Sequence, residues 1–240
     1  MNILITGGAS GLGEAITRKL ANDHTNTVYF TYYNSSSNVK KIESEFQNTK
    51  GIKCDFKDLE EVNLLKDKIE ELDLDLLINN VYSGEAIKTY FHKIESDEFL
   101  TEFNQNIIPT VLLTQAAITC FRKKKKGKII SILTSFLLNT PPIGSSIYVA
   151  NKAYLGSLVK SWATENGKFN IVSNSISPSF MLTNFTRDVD ERIIEQMKES
   201  HPLKKLLTID EVAETVSFLS NSSNHLNGID IPINAGVNIK

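Results

Sequence analysis

Cysteine is scarce: Cys54 and Cys120 are the only two, far apart and without CxxC spacing. That excludes a disulfide framework, points to a reduced, cytosolic protein and gives no reason to expect a metal. Charge of one sign is also missing. Twenty-six Lys and Arg against 28 Asp and Glu leave a formal net charge of −2 and a pI near 6.1. No basic field recommends nucleic acid or a membrane surface as a partner. The longest apolar run, residues 129–138, is interrupted by Ser131, Thr134 and Ser135, too short for the roughly 20 residues that cross a bilayer. No charged-then-apolar leader is visible, since Met1-Asn2 passes straight into Ile3-Leu4-Ile5, so a cytoplasmic location is expected. Linkers rich in Pro, Gly or Ser are absent, as are internal repeats; only Ser35-Ser36-Ser37 and the run Lys123–Lys126 are low in complexity. With 41% hydrophobic residues in 240, the expectation is one domain over residues 1–240 with a substantial core.

What is present is alternation. Short β-type apolar runs at 2–5, 27–32, 51–55, 74–79, 128–133, 171–176 and 229–233 are separated by helical patterns. The helices are expected at 12–21, 39–47, 60–71, 97–121, 149–165, 188–199 and 209–219. Several strands are continuously apolar, as when helices cover both sheet faces. Thr208 with Glu211 three residues later has the form of a capping box. The pattern predicts a doubly wound α/β domain of the Rossmann type, with a mainly parallel sheet.

After the first strand the chain reads Thr6-Gly7-Gly8-Ala9-Ser10-Gly11-Leu12-Gly13 and opens a helix. Small residues let the backbone turn sharply and approach a diphosphate, whose charge the free amides and helix dipole stabilise. A tight βα loop without a ligand has the same composition, but the position after strand one is the context nucleotide binding requires. Further on, Tyr148 and Lys152 stand four apart and share a helix face. A free Tyr has a pKa near 10, too high for efficient proton exchange at neutral pH, and a neighbouring ammonium is expected to lower it. Upstream, the strand at 128–133 ends in two hydroxyl residues, Thr134 and Ser135, either of which could donate to a developing alkoxide. Pro109 removes an amide from the long helix four residues after Gln105, so a distortion is expected beside Asn106.

The G-x-x-x-G-x-G spacing resembles the short-chain dehydrogenase/reductase family, whose loop reads TGxxxGxG, and the resemblance extends from Thr6 to Gly236. It implies hydride transfer between a nicotinamide and a ketone or secondary alcohol. Tyr148 would be the proton donor, Lys152 its tuner and a ribose contact, Ser135 the polarising hydroxyl, and Asn106 the holder of a relay water. Ser135 lies 13 residues before Tyr148, the family's separation; counting from Gly127 selects Thr134 instead, which is kept in reserve. The implied cofactor contacts are Gly7, Ala9, Ser10, Gly11, Leu12, Gly13, Asn80, Pro178 and Thr183, with Asp55 at the adenine and both Tyr148 and Lys152 at the nicotinamide end. The acidic residue that selects NAD, about 20 residues past the glycines, is missing: Tyr33, Asn34 and Ser35 stand there. NADP(H) is therefore preferred, with NAD(H) as the alternative.

Two departures stand out. The family's NNAG is Asn79-Asn80-Val81-Tyr82 here, and its Pro-Gly is Pro178-Ser179. They motivate a non-catalytic nucleotide-binding protein as the rival of another class. The resemblance is greatest to 3-oxoacyl-carrier-protein reductases, and a ketosugar or secondary-metabolite reductase is the rival of the same chemistry. The segment at about 179–205 is expected to cover the substrate, with Phe180, Met181, Phe185 and Met197 as apolar surface and Arg187 and Lys198 as anion contacts. The basic run Arg122–Lys126 is expected to be a solvated helix end, with carrier-protein docking, aided by Lys168, as its alternative. By resemblance, a homotetramer or homodimer is expected to form through the helices at 97–121 and 149–165 and the last strand.

Overall fold

A computed structural model describes residues 1–86, 89–138, 140–183 and 190–237. Seven strands form one sheet: β1 (Asn2–Ile5), β2 (Thr27–Tyr32), β3 (Thr49–Lys53), β4 (Leu76–Asn79), β5 (Gly127–Ile132), β6 (Ile171–Pro178) and β7 (Asp230–Ile233). Their order is β3-β2-β1-β4-β5-β6-β7, and every pairing is parallel. The helices are α1 (Gly11–Ala21), α2 (Ser36–Glu45), α3 (Leu59–Lys68), α4 (Ser96–Lys124), α5 (Ser146–Asn166), α6 (Glu191–Ser200) and α7 (Ile209–Asn221). This is the doubly wound arrangement that the alternation of patterns predicts.

The sheet is buried on both sides because successive strand residues point to opposite faces. Ile3 and Ile5 of β1, Leu76 and Ile78 of β4, and Ile130 and Ile132 of β5 join the core beneath α1 and α7. Their neighbours Leu4, Leu77 and Ile129 join the opposite core, with Leu113, Ala117 and Phe121 of α4 and Val159 and Trp162 of α5. Strand order reverses between β1 and β4. A crevice opens beyond the carboxyl ends of strands at such a point, the usual place for a ligand in this architecture.

Of two local expectations, the capping box forms, whereas the distortion expected beside Asn106 does not interrupt α4. Thr208 accepts the Glu211 amide at 3.2 Å while Glu211 accepts the Thr208 amide at 2.9 Å, closing the capping box of α7. Helix α4 runs unbroken through Pro109. The Thr110 hydroxyl donates to the Asn106 carbonyl at 2.8 Å beside it.

Candidate active site

The glycine turn is built by its neighbours. Thr6 ties the end of β1 to the end of β4: its hydroxyl accepts the amides of Asn80 at 2.9 Å and Val81 at 3.1 Å. Asn80 returns the tie through its side-chain amide, which donates to the Thr6 carbonyl at 2.9 Å. Gly7 and Gly11 hold φ of 68° and 52°, where a side chain would add strain. Gly13 has no room for one, because a Cβ would lie 2.0 Å from the Gly7 carbonyl oxygen. Gly7 and Gly8 donate their amides to Thr31, but the Ser10 side chain makes no capping hydrogen bond to the start of α1, which leaves the helix's first amides open to an anion. These features fit a dinucleotide diphosphate.

Overpacking typically costs about 1–3 kcal/mol. Gly13→Ala should therefore weaken NADPH binding by about tenfold or more in a fluorescence titration. Unchanged affinity would mean that the turn does not carry the diphosphate.

Beyond the turn lies a cavity of about 710 Å³. Gly7, Ser10, Gly11, Leu12 and Gly13 form one wall, and Asn80 and Pro178 rise from the ends of β4 and β6. Thr183 sits over the glycines, with its Cβ 3.8 Å from where a Cβ on Gly11 would fall. Thr134, Tyr148 and Lys152 reach the same space from β5 and α5. Val81, Phe136, Phe180, Met181 and Ile193 supply an apolar lining.

Tyr148 and Thr134 share a side-chain hydrogen bond. Ser135, one residue on, begins a 3-10 turn, is buried, and lies outside the cavity lining. Of the two hydroxyl residues, Thr134 is the one that lines the cavity with Tyr148. Burial pushes the Tyr148 phenol up to about 12, the Thr134 hydrogen bond opposing it. The lowering by Lys152 expected from their spacing is not found: desolvation of a phenolate outweighs it, and Lys152 Nζ stands 5.9 Å from the ring centroid. Lys152 is itself buried and donates to the Ile132 carbonyl at 2.7 Å.

Burial pushes the Lys152 ammonium down to about 7 from an ordinary 10.5. The folded state thus holds this proton less tightly than the unfolded chain, so the group opposes folding in full below about pH 7. That opposition fades as pH rises towards 10.5. Lys152→Met should raise the melting temperature most at about pH 6 and least at about pH 9. An equal gain at both would contradict this assignment.

Asn106 is 1% exposed and lies outside the cavity lining. Its side chain accepts the Ser83 amide at 2.6 Å and donates to the Ser83 carbonyl and the Glu102 carboxylate, each at 3.1 Å. It clamps the chain that follows β4. Ala9 is buried, its carbonyl accepting from Asn38. Tyr33, Asn34 and Ser35 follow β2 at the start of α2, outside the lining, with Tyr33 half exposed. Asp55 accepts the Lys57 amide at 2.9 Å, a turn-capping bond.

Of the lid residues, Phe180 and Met181 line the cavity, Met197 does not, and Lys198 pairs with Glu195 at 3.2 Å. Phe185 and Arg187 lie outside the described residues. Much of the basic run is engaged within the chain, with Lys125 exposed: Lys123 pairs with Glu70, Lys124 with Asp73 and Asp75, and Lys126 with Asp75. Arg122 donates to Asn166 at 2.7 Å. Two contributors escaped the sequence reading: the Thr6 side chain as the strand tie, and Glu102 as the partner of Asn106. Thr6 was legible as the first letter of the glycine motif, whereas no sequence signal marked Glu102.

A parallel sheet with a glycine turn at its switch point, and a Tyr–Lys pair facing that turn, defines a nucleotide-dependent oxidoreductase. A family model described as enoyl-(acyl carrier protein) reductase matches residues 7–238, and the chain belongs to the short-chain dehydrogenase/reductase family. It is an NAD(P)-dependent enzyme of that family acting on alcohol and carbonyl groups. It is 30% identical over 242 residues to the 3-oxoacyl-[acyl-carrier-protein] reductase FabG of Aquifex aeolicus, covering 98% of this chain and 96% of that one. To the 3-oxoacyl-[acyl-carrier-protein] reductase MabA of Mycobacterium tuberculosis it is 28% identical over 240 residues, covering 98% and 92%. Among solved structures, a short-chain dehydrogenase from Burkholderia cenocepacia in complex with NADP superposes with a TM-score of 0.84. It is 25% identical, with 99% of this chain and 98% of that one covered. Among the described residues, no helix is long and apolar enough to cross a membrane.

Proposed function

We propose that this chain is an NADP(H)-dependent reductase of ketones, with 3-oxoacyl thioesters as the substrate class. The observation that carries the reading is the opening of Tyr148, Thr134 and Lys152 onto the same cavity as the glycine turn. The nicotinamide, when bound, supplies the hydride. Tyr148, held protonated by burial, is the group that gives its proton to the substrate oxygen. Thr134, bonded to the phenol before the ketone binds, turns its single hydroxyl proton to the substrate oxygen as Tyr148 gives up its own. Lys152 stabilises charge on the phenol as the proton leaves and takes the ribose hydroxyls. Asn106 acts at a distance, by fixing the backbone that follows β4. The apolar lining from Val81, Phe136 and Met181 suits an acyl chain better than a polyhydroxylated sugar. The pairing of the basic run within the chain takes support from carrier-protein docking there, so the thioester rather than the carrier is what the site favours. Exposed Leu100 on α4 and Tyr154 on α5 support self-association through those helices.

The preference for NADP(H) rests on Tyr33, Asn34 and Ser35, where hydroxyls, an amide and the start of α2 would meet the 2′-phosphate without a repelling carboxylate. Like charge brought together costs several kcal/mol. Ser35→Asp should therefore raise the KM for NADPH by at least about tenfold while sparing NADH. Equal effects on the two would remove the NADP assignment.

A further inference from the structure

Lys152 is a buried cation, and among the described residues it makes no ion pair. Its ammonium donates to one carbonyl, that of Ile132. An ammonium taken out of water with so little compensation is costly. Two aromatic rings stand beside it: Nζ lies 5.1 Å from the Tyr82 ring centroid and 5.9 Å from that of Tyr148. The two rings meet edge to face at 4.9 Å between centroids, so they form two adjoining walls of one small cage. Both distances lie within the reach of cation–π attraction, which strengthens where water is excluded.

Tyr82 is fixed in that position from two helices, α4 and α5. Asn151, the residue before Lys152 on α5, donates to the Tyr82 hydroxyl at 3.3 Å. That hydroxyl in turn donates to Glu102 of α4 at 3.4 Å, and Glu102 is buried and accepts from Asn106 at 3.1 Å. The backbone on the far side is held by Asn106 through Ser83. At Gly84, with φ of 98°, an added Cβ would fall 2.8 Å from Glu102, so the loop is moulded to this carboxylate.

The geometry points to Tyr82 as a positioning residue whose ring face holds Lys152 in its charged form and in register with Tyr148. The inference rests on the role given to Lys152 above, but it concerns the cofactor-free protein and can fail independently of turnover. Other ionisable groups near the site are Tyr148 on α5, Glu102 of α4 behind the Tyr82 hydroxyl, and Glu85 and Asp190 on the cavity wall; β5 contributes only the Ile132 carbonyl.

The test is nuclear magnetic resonance of cofactor-free protein carrying ¹³C-labelled lysine, with the Lys152 signal assigned by its loss in Lys152→Met. In the wild type, the Lys152 ε-methylene protons should lie upfield of the other lysines, since they sit against ring faces. Tyr82→Leu should lower the Lys152 midpoint by about half a unit to one and a half units. Tyr82→Phe keeps the face, loses the hydroxyl, and should keep most of the wild-type midpoint. Ordinary ε-methylene shifts in the wild type would overturn the proposal, and that reading needs no variant to fold. So would an unchanged midpoint in Tyr82→Leu, or an equal fall in Tyr82→Phe, which would assign the effect to the Glu102–Asn151 hydrogen bonds instead.

Discussion

Tyr148→Phe is expected to lower kcat for ketone reduction by about 10²–10⁴-fold, the usual contribution of a placed general acid, while NADPH affinity stays essentially intact. The change removes one oxygen and leaves the ring against Tyr82 and Phe136, at 4.9 and 6.4 Å between centroids. Packing and cofactor access are thus preserved, and the loss should fall on kcat rather than on KM. The phenol's elevated pKa of about 12 adds a second signature. Tyr148 remains an acid through the neutral range, so the reductive rate should not fall on its account until strongly alkaline pH. A variant that retains full turnover would remove Tyr148 from the chemistry.

Thr134→Ala is expected to cost about 10²–10³-fold in kcat, the range for losing one oxyanion-type donor, whereas Ser135→Ala should stay near wild type. The two hydroxyls are neighbours in sequence but not in the site. Thr134 bonds to Tyr148 and faces the cavity. Ser135 begins the following 3-10 turn and lies outside the cavity lining. Thr134→Ser should restore much of the activity, because it returns the hydroxyl without the methyl group. If Ser135→Ala is the damaging change, the assignment is reversed.

The choice between these hydroxyls shows where the sequence stops being informative. The apolar run, the glycine turn and the Tyr–Lys spacing each depend on local backbone geometry, which residue type and period express directly. The position of the hydroxyl relative to Tyr148 depends instead on where β5 ends and on the length of the loop before α5. Counting back from Tyr148 selects Ser135; counting forward along the strand from Gly127 selects Thr134. The placed strand, whose Ile132 pairs with Ile176, puts Thr134 rather than Ser135 on the cavity, and the two Ala variants test which of them serves the chemistry. The same limit explains the pKa directions. Spacing puts Lys152 near Tyr148, but burial of both is a property of the packed core and reverses the expected shift of the phenol. The basic run behaves alike, since its partners Glu70, Asp73 and Asp75 lie some 50 residues earlier (Lys123 and Glu70 are 53 apart). Glu102 and Tyr82 met no expectation as a pair for the same reason: nothing local links a residue inside α4 to the loop after β4.

The central claim is hydride delivery to a ketone whose oxygen takes the Tyr148 proton. The most direct measurement uses NADPH deuterated at the transferring position, incubated with a short 3-oxoacyl thioester and the wild-type protein, with the product read by mass spectrometry. The account predicts one deuterium on carbon 3 of a 3-hydroxyacyl thioester, and none with Tyr148→Phe over the same period. If the nucleotide binds but stays unoxidised across 3-oxoacyl thioesters, ketosugars and simple ketones, the chain is a nucleotide-binding protein without turnover and the account fails.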